Sequence, residues 1–204
     1  MNEFQRNNKP SWDVLLIGGA SGTGKSHVSH PLARHFDVSV TEVDDFHTVI
    51  EQMTTPDQQP ALHYWETKPE SVQLSAGQIL ELHISVGRAM LPALETVIAN
   101  HIESQTPLIL EGDYILPELI AQIGHPISQE EKRVRAVFLY EPDEKQILQN
   151  FLVREPEEGE QAGRAHVSWL YGEWLKKESE RYGLPALPAT PWDSLFDRIV
   201  KAVS

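Results

Sequence analysis

The chain has 204 residues, of which 40% are hydrophobic and 23% charged, a composition typical of a globular protein that buries a sizeable core. Its 30 acidic residues outnumber 17 lysines and arginines, and the formal net charge of -13 argues against nucleic acid or membrane as partners. The absence of cysteine excludes disulfides, thiol catalysis and thiolate metal sites. We expect a single cytoplasmic domain over residues 1–204, as a monomer or homodimer, because no apolar run is long enough to span a membrane.

The first predicted strand, residues 12–17, is a nearly continuous apolar run that ends at two glycines. Such a run is typical of a strand that is buried on both faces. A helix is predicted over 25–36, followed by a second strand over 37–43, where valines alternate with polar residues. That strand is predicted to stop at Asp44 and Asp45.

Residues 46–106 form a segment far longer than one crossover helix, so we expect an insertion with a role of its own. Its first part, 53–69, is rich in proline and predicts an ordered loop. Its second part, 75–103, repeats apolar residues at steps of three and four. This spacing predicts a long amphipathic helix in which Pro92 marks the position of a bend.

The remainder of the chain alternates between strand and helix patterns. Strands are predicted over 107–112, 135–140 and, weakly, 186–187, and helices over 143–154, 165–182 and 192–203. The acidic, glycine-containing segment 155–163 is predicted as a mobile loop. Strands that alternate with helices predict an α/β fold around a parallel sheet with right-handed crossovers.

A glycine-rich loop between the first strand and the first helix matches the eight-position phosphate-binding loop, or Walker A motif. Its residues are Gly19, Ala20, Ser21, Gly22, Thr23, Gly24, Lys25 and Ser26. Glycines allow successive backbone N–H groups to face one anionic centre, and the helix N-terminus adds positive potential. We expect Lys25 to reach the terminal phosphates of a nucleotide and Ser26 to bind magnesium.

Acidic residues follow the second and third predicted strands, at the edge where open α/β sheets bind ligands. Of Asp44 and Asp45, one carboxylate is expected to accept a proton from a substrate hydroxyl, and the other to hold magnesium directly or through water. The alternative is that these aspartates only cap the next helix. Glu111 and Asp113 either lie near the water shell of the metal or form a polar strand end.

The phosphate loop, the strand end at Asp44, Asp45 and Phe46, and the segment 110–117 together resemble the P-loop small-molecule kinases of the nucleotide-kinase superfamily. The strand end is similar to uridine kinase and nicotinamide riboside kinase, and 110–117 is similar to 2-phosphoglycerate kinase. The resemblance implies a three-layer P-loop fold with a five-stranded parallel sheet. It also implies transfer of the terminal phosphoryl group of ATP, with Mg2+, to a small-molecule acceptor.

The same resemblance assigns roles to individual residues. Asp44 is the counterpart of the family's base, with Asp45 as the second choice. Apart from the resemblance, the place of Asp45 and Glu111 at the ends of predicted strands makes them the carboxylates expected at the metal. Arg154 and Arg164 match an arginine-bearing lid, over 154–165, whose guanidinium groups stabilise the transferring phosphoryl group. The alternative is that both arginines only pair with acidic residues of the adjoining segment.

The sequence indicates less clearly which residues contact the nucleotide base and the acceptor. By resemblance, the adenine-contacting loop falls at 189–192. Arg88 on the long helix is a candidate for holding an anionic group of the acceptor, and otherwise is a solvated surface residue. Tyr64 and Trp65 either line an acceptor pocket or pin their loop by aromatic burial, and His47 either assists binding or lies on the surface.

The acceptor stays open among nucleosides, sugars, hydroxy acids and small antibiotics. A second class of function also remains, a nucleotide-dependent switch or regulatory ATPase that has no small-molecule acceptor.

Overall fold

The computed structural model describes residues 9–68, 73–123 and 133–204. In this part of the chain five strands form one sheet: β1 (Val14–Gly19), β2 (Ser39–Glu42), β3 (Leu108–Gly112), β4 (Val134–Tyr140) and β5 (Ala186–Pro188). All neighbouring pairs are parallel, and the order is β2-β3-β1-β4-β5. The expected five-stranded parallel sheet is therefore confirmed.

Helices cover both faces of this sheet. They are α1 (Lys25–Phe36), α2 (Val43–Met53), α3 (Tyr64–Thr67), α4 (Ala76–Ser104), α5 (Pro117–Ile123), α6 (Glu144–Arg154), α7 (Ala162–Arg181) and α8 (Leu195–Val203), with 3₁₀ turns at Pro156–Glu158 and Trp192–Ser194. Within the described residues, none of these helices combines the length and the apolar character that crossing a bilayer requires.

Every residue of β1 is buried because its side chains alternate between two cores. Val14 and Leu16 pack with α4, α5 and α7 on one face. Leu15 and Ile17 pack with α1 and α8 on the other face. The layers are thus helix, sheet and helix, as expected for the three-layer P-loop fold.

The second strand is shorter than predicted. The alternating valines suggested that it runs through residue 43, but β2 ends at Glu42, and Val43 is the first residue of α2. The Val43 side chain is fully buried and packs against the backbone of Gly112, where a Cβ would lie 2.7 Å from the Val43 Cβ. Asp44 and Asp45 consequently lie in the first turn of a helix instead of at a strand end.

The long segment after β2 consists mainly of helix. The predicted proline-rich loop contains the short helix α3, and its last residue, Pro69, lies outside the described residues. The predicted long helix is present as α4, which begins at a Ser75–Gln78 capping box and continues through Pro92 as one helix. The acidic segment predicted as a loop holds a 3₁₀ turn and the first residues of α7.

Candidate active site

The loop between β1 and α1 has a backbone path that requires glycine. Gly22 and Gly24 have φ angles of 81° and 79°, in the left-handed region that other residues rarely adopt. A Cβ at Gly24 would also lie 2.9 Å from the Trp192 ring, and a Cβ at Gly19 would lie 2.8 Å from the carbonyl oxygen of Leu139. The loop therefore depends on glycine for both its dihedral angles and its close packing.

Hydrogen bonds from inside and outside the loop fix its shape. The buried Thr23 hydroxyl donates to the carbonyl oxygen of Ala20 at 2.8 Å. From α6, the Asn150 amide donates to the carbonyl oxygen of Gly22, also at 2.8 Å. Holding these carbonyls on the protein side suits a loop whose N–H groups are to face an anion.

The order of the strands brings the end of β3 beside this loop. Gly18 of β1 is paired with Gly112 of β3, so the chain leaves β3 next to the start of the phosphate loop. There Asp113 accepts a hydrogen bond from the Ser21 hydroxyl at 2.8 Å and forms an ion pair with Lys25 at 2.5 Å. Lys25 is the first residue of α1, and its Nζ also donates to the carbonyl oxygen of Ala20 at 3.2 Å.

The ion pair lies in the interior of the protein, with only 8% of Lys25 and 9% of Asp113 exposed. Burial raises the pKa of the Asp113 carboxyl, but the charge and hydrogen bond of Lys25, together with His83 and the Ser21 hydroxyl, outweigh burial, and the net pKa lies below its ordinary value. Sequence reasoning placed Lys25 at the phosphates, and Asp113 either near the water shell of the metal or at a polar strand end. It did not identify the two as partners, because nothing local links residues on different strand ends.

Glu111, on β3, provides a test of whether the site fits magnesium. Its carboxyl is only 2% exposed, and within the described part of the chain Oε1 has no hydrogen-bond partner. Burial raises the pKa of Glu111, while a hydrogen bond with Ser26 and the charge of Lys25 act in the opposite direction. An unsatisfied carboxylate oxygen near a serine hydroxyl fits the water shell of Mg2+.

Glu111 and Ser26 suit a magnesium ion that takes its remaining ligands from water and phosphate. Among the described residues, no group of three or more histidine, aspartate or glutamate side chains is arranged to hold a metal ion alone. Magnesium at nucleotide sites usually keeps several waters and takes other ligands from phosphate oxygens, so one carboxylate and one hydroxyl suffice.

A cavity of about 490 Å³ opens beside the phosphate loop. Its wall includes Ser21 of the loop, Asp44 of α2, His83 of α4, Asp113 after β3 and Arg164 of α7. A cavity of this volume accommodates one small molecule. Because Ser21 and Asp113 contact each other and both line the cavity, its occupant would lie next to the residues that surround Lys25.

Asp44 and Asp45 differ in their access to this cavity. Both side chains are exposed, but Asp44 lines the cavity and Asp45 is not part of its wall. Burial and the neighbouring Asp113 raise the pKa of Asp44, and Lys25 and His47 partly offset this effect. The α2 N-terminus has no side-chain cap, and Asp44 accepts the Thr48 hydroxyl only through its main-chain oxygen, so capping does not account for either aspartate.

Aromatic rings from four parts of the chain meet along one side of the cavity. Tyr114 lies against His47, with ring centroids 4.9 Å apart, and against His83, at 5.4 Å. His83 also contacts the Tyr171 ring at 5.1 Å, and the Tyr171 hydroxyl donates to the carbonyl oxygen of Asp113 at 2.5 Å. Burial lowers the pKa of His83 and raises the pKa of Tyr171. All four rings, those of His47, Tyr114, His83 and Tyr171, belong to the wall of the cavity.

The two predicted lid arginines share one glutamate. Arg154 Nη2 and Arg164 Nη1 each lie 2.6 Å from a carboxylate oxygen of Glu155. Both guanidinium groups also lie over the Phe151 ring, at 5.2 Å and 4.5 Å from its centroid. Hydrogen bonds from Gln161 and from both arginines lower the pKa of Glu155 to about 2. The expected alternative, pairing with an acidic neighbour, is therefore present, and Arg164 lines the cavity as well.

The structure does not bring the other acceptor candidates to this cavity. Arg88 is exposed and donates from Nε to Glu118 of α5 at 2.9 Å. Tyr64 lines a separate, shallower depression at the start of α4, and Trp65 is 63% exposed. These three residues were assigned from their place in the long insertion, but its helices direct them away from the phosphate loop.

The segment predicted to contact the base, 189–192, adjoins the phosphate loop. The Trp192 ring packs against Gly24 and lies 5.4 Å from the His27 ring. Arg198 of α8 holds the segment by donating to the carbonyl oxygens of residues 188, 189 and 191. A base-contacting role for this segment stays a prediction.

Solved structures of kinases resemble this fold over nearly the whole chain. A shikimate kinase from Acinetobacter baumannii, solved in complex with shikimate, is 15% identical, with 96% of this chain and 93% of that chain covered and a TM-score of 0.53. A gluconokinase from Sinorhizobium meliloti 1021 is 14% identical, with 98% and 93% covered and a TM-score of 0.52. The chain thus has the fold of the P-loop small-molecule kinases. No family model matches it, and no curated protein matches it significantly.

Proposed function

We propose that the protein is a kinase that transfers the γ-phosphoryl group of Mg-ATP to a hydroxyl group of a small molecule. The observation that carries this proposal is the adjacency of two sites. The Walker A lysine, Lys25, is bound to Asp113, and Asp113 and Asp44 line the same cavity. A nucleotide-dependent switch accounts for the phosphate loop but not for a small-molecule cavity that holds a second carboxylate beside it.

The nucleotide is proposed to bind to residues 19–26. Their N–H groups and the N-terminus of α1 attract the phosphates, and Lys25 exchanges Asp113 for a phosphate oxygen. Ser26 and Glu111 are the residues proposed to hold the magnesium ion and its waters. Asp45 is exposed and lies outside the cavity, so it remains a candidate only for contact with the magnesium ion through a bridging water. Magnesium supplies neutralisation of the phosphate charge.

Asp44 is proposed as the base for the acceptor. As the acceptor oxygen forms its bond to the γ-phosphorus, the bond from phosphorus to the β–γ bridging oxygen breaks, the hydroxyl proton passes to Asp44, and ADP leaves. The raised pKa makes Asp44 a stronger base than a solvated aspartate. Arg164, which lines the cavity, is proposed to leave Glu155 and stabilise charge on the transferring group. Arg154 is proposed to assist it from the same pair.

The test is to measure ADP formation by the purified protein with Mg-ATP, alone and with a panel of hydroxylated compounds. The proposal predicts that ADP formation depends on an acceptor and that one phosphorylated product appears for each ADP. Hydrolysis at the same rate with and without every acceptor would instead support the switch or regulatory ATPase.

A further inference from the structure

We propose that Asn150 of α6 is a positioning residue that links the phosphate loop to Arg154 and Arg164, so that both act on the phosphates of one nucleotide. This inference rests on the proposed kinase function and adds a residue to the same site. It is carried by the contacts of one turn of α6, which meets Gly22 on one side and the two arginines on the other.

This turn of α6 packs directly against Gly22 of the phosphate loop. A Cβ at Gly22 would lie 3.1 Å from the Phe151 ring and 3.2 Å from the Ile147 side chain. The Asn150 amide donates to the Gly22 carbonyl oxygen at 2.8 Å. Among the described residues, Asn150 is the one side chain from another element that donates to the backbone of this loop. The orientation of the Gly22 carbonyl therefore depends on α6.

Glycine at position 22 permits the turn but does not by itself fix the peptide. Gly22 has a φ of 81°, and glycine adopts positive and negative φ angles about equally well. A hydrogen bond from outside the loop therefore selects one of several accessible backbone paths. The Asn150 amide is itself oriented, because its oxygen accepts a hydrogen bond from the Gln146 amide at 2.8 Å. Its nitrogen is thereby directed at Gly22.

The next residue, Phe151, contacts both arginines. Its buried ring lies under the two guanidinium groups, whose central carbons are 5.2 Å and 4.5 Å from the ring centroid. Arg154 and Arg164 share Glu155, so this cluster carries one positive charge more than it neutralises. A cation over an aromatic face is attracted to the ring in addition to any ion pair. Phe151 therefore keeps a hold on the arginines when phosphate replaces Glu155.

Adjacent residues of one helix thus hold the loop and the arginines in a fixed relation. Loss of the Asn150 amide frees the Gly22 peptide and removes a bond that keeps this turn of α6 against the loop. The N–H groups of the loop and the guanidinium groups then no longer converge on the same phosphates. Because the arginines are proposed to act on the γ-phosphate, ATP should lose more affinity than ADP.

The experiment measures the dissociation constants of Mg-ATP and Mg-ADP with the full chain by isothermal titration calorimetry. Asn150→Ala removes the amide and places a stronger helix former in α6, so we expect the fold to persist. Asn150→Leu, which adds no charge and no donor, replaces it if Asn150→Ala does not fold by circular dichroism. The matched control is Asn100→Ala, because Asn100 is an exposed asparagine of α4.

The inference predicts that Asn150→Ala raises the dissociation constant about tenfold for Mg-ATP and about threefold or less for Mg-ADP. The melting temperature should stay close to that of Asn100→Ala. Equal affinities in Asn150→Ala and Asn100→Ala would overturn the inference, and so would an equal loss for ATP and ADP. Absence of ATP binding by the original protein would instead contradict the proposed kinase function.

Removing the arginines tests the link itself. In a protein that carries Arg154→Ala and Arg164→Ala, Asn150→Ala should weaken ATP and ADP by the same factor, because the groups that it positions for the γ-phosphate are gone. A role of Asn150 in stability alone would change the affinities by the same factors with and without the arginines. An additional loss for ATP that persists without the arginines would contradict the link.

Discussion

Lys25 Nζ lies 2.5 Å from Asp113 Oδ1, so the lysine of the phosphate loop already has a buried carboxylate partner. Lys25 donates to Asp113 and to the carbonyl oxygen of Ala20, which uses two of its three N–H donors, so a nucleotide phosphate either takes the third or competes with Asp113. The pair therefore connects the nucleotide site with the acceptor cavity, because Asp113 lines that cavity.

Removal of the lysine tests the phosphate site. Lys25→Ala is expected to abolish ATP binding or weaken it greatly in isothermal titration calorimetry, since the cradle loses its charged group. The control is Lys201→Ala, which removes an exposed lysine from α8. Equal affinity in Lys25→Ala and Lys201→Ala would refute the assignment of the phosphate loop.

Removing the Asp113 carboxylate from its ion pair with Lys25 should lower the stability of the protein. Asp113→Asn leaves the buried Lys25 without a counter-charge, and we expect the free energy of unfolding at pH 7 to fall by about 3 kcal/mol in urea titrations. A conservative control is Asp193→Asn, in the 3₁₀ turn before α8. A change no larger than that of the control would show that the pair contributes little.

The pH dependence of stability follows from the lowered pKa of Asp113. Its pKa in the folded state lies below the ordinary value of 3.8, so its contribution to stability is complete above pH 3.8 and is lost as pH falls through the lower, folded-state pKa. The loss of stability below pH 3.8 should be shallower in Asp113→Asn than in the original protein. Parallel curves would contradict this linkage.

The two aspartates of α2 form a matched pair of targets. Asp44→Asn should leave ATP binding largely intact and reduce phosphoryl transfer by about 10²- to 10⁴-fold, because the base is lost while the phosphate cradle remains. Asp45→Asn, outside the cavity, should have a much smaller effect. If only Asp45→Asn abolishes transfer, the base has been assigned to the wrong residue.

Glu155 is expected to restrain the arginines. Glu155→Gln weakens its hold on Arg154 and Arg164, which become available to phosphate, and KM for ATP should fall by about three- to tenfold. Glu157→Gln is the control, because Glu157 is an exposed glutamate in the same turn. A rise in KM for Glu155→Gln alone would indicate that Glu155 positions the arginines for catalysis.

The phosphate loop could be predicted from sequence because its chemistry is contiguous. Residues 19–26 carry the glycines, lysine and serine together, and the apolar run before them identifies β1. Asp44 could also be selected, although the preceding strand ends earlier than the valine alternation suggested. The local sequence did not show that Val43 packs on Gly112. This contact places the start of α2 beside the end of β3.

The acceptor side could not be predicted in the same way. His83 and Tyr171 are more than eighty residues apart in sequence and meet at 5.1 Å only because α4 packs beside α7. The rotation of α4 that brings His83 to the cavity also leaves Arg88 against Glu118 of α5. Periodicity identified the helix, but the choice of which polar residue faces the phosphate loop is made by packing between distant elements.

Phosphoryl transfer itself is the most direct test of the central claim. Phosphorus NMR of the full chain with Mg-ATP and the panel of hydroxylated compounds follows every phosphate in one sample. The account predicts that a phosphate ester signal grows as the γ-phosphate signal of ATP declines, and that Asp44→Asn slows this growth by orders of magnitude. Inorganic phosphate as the sole product in both samples would contradict it.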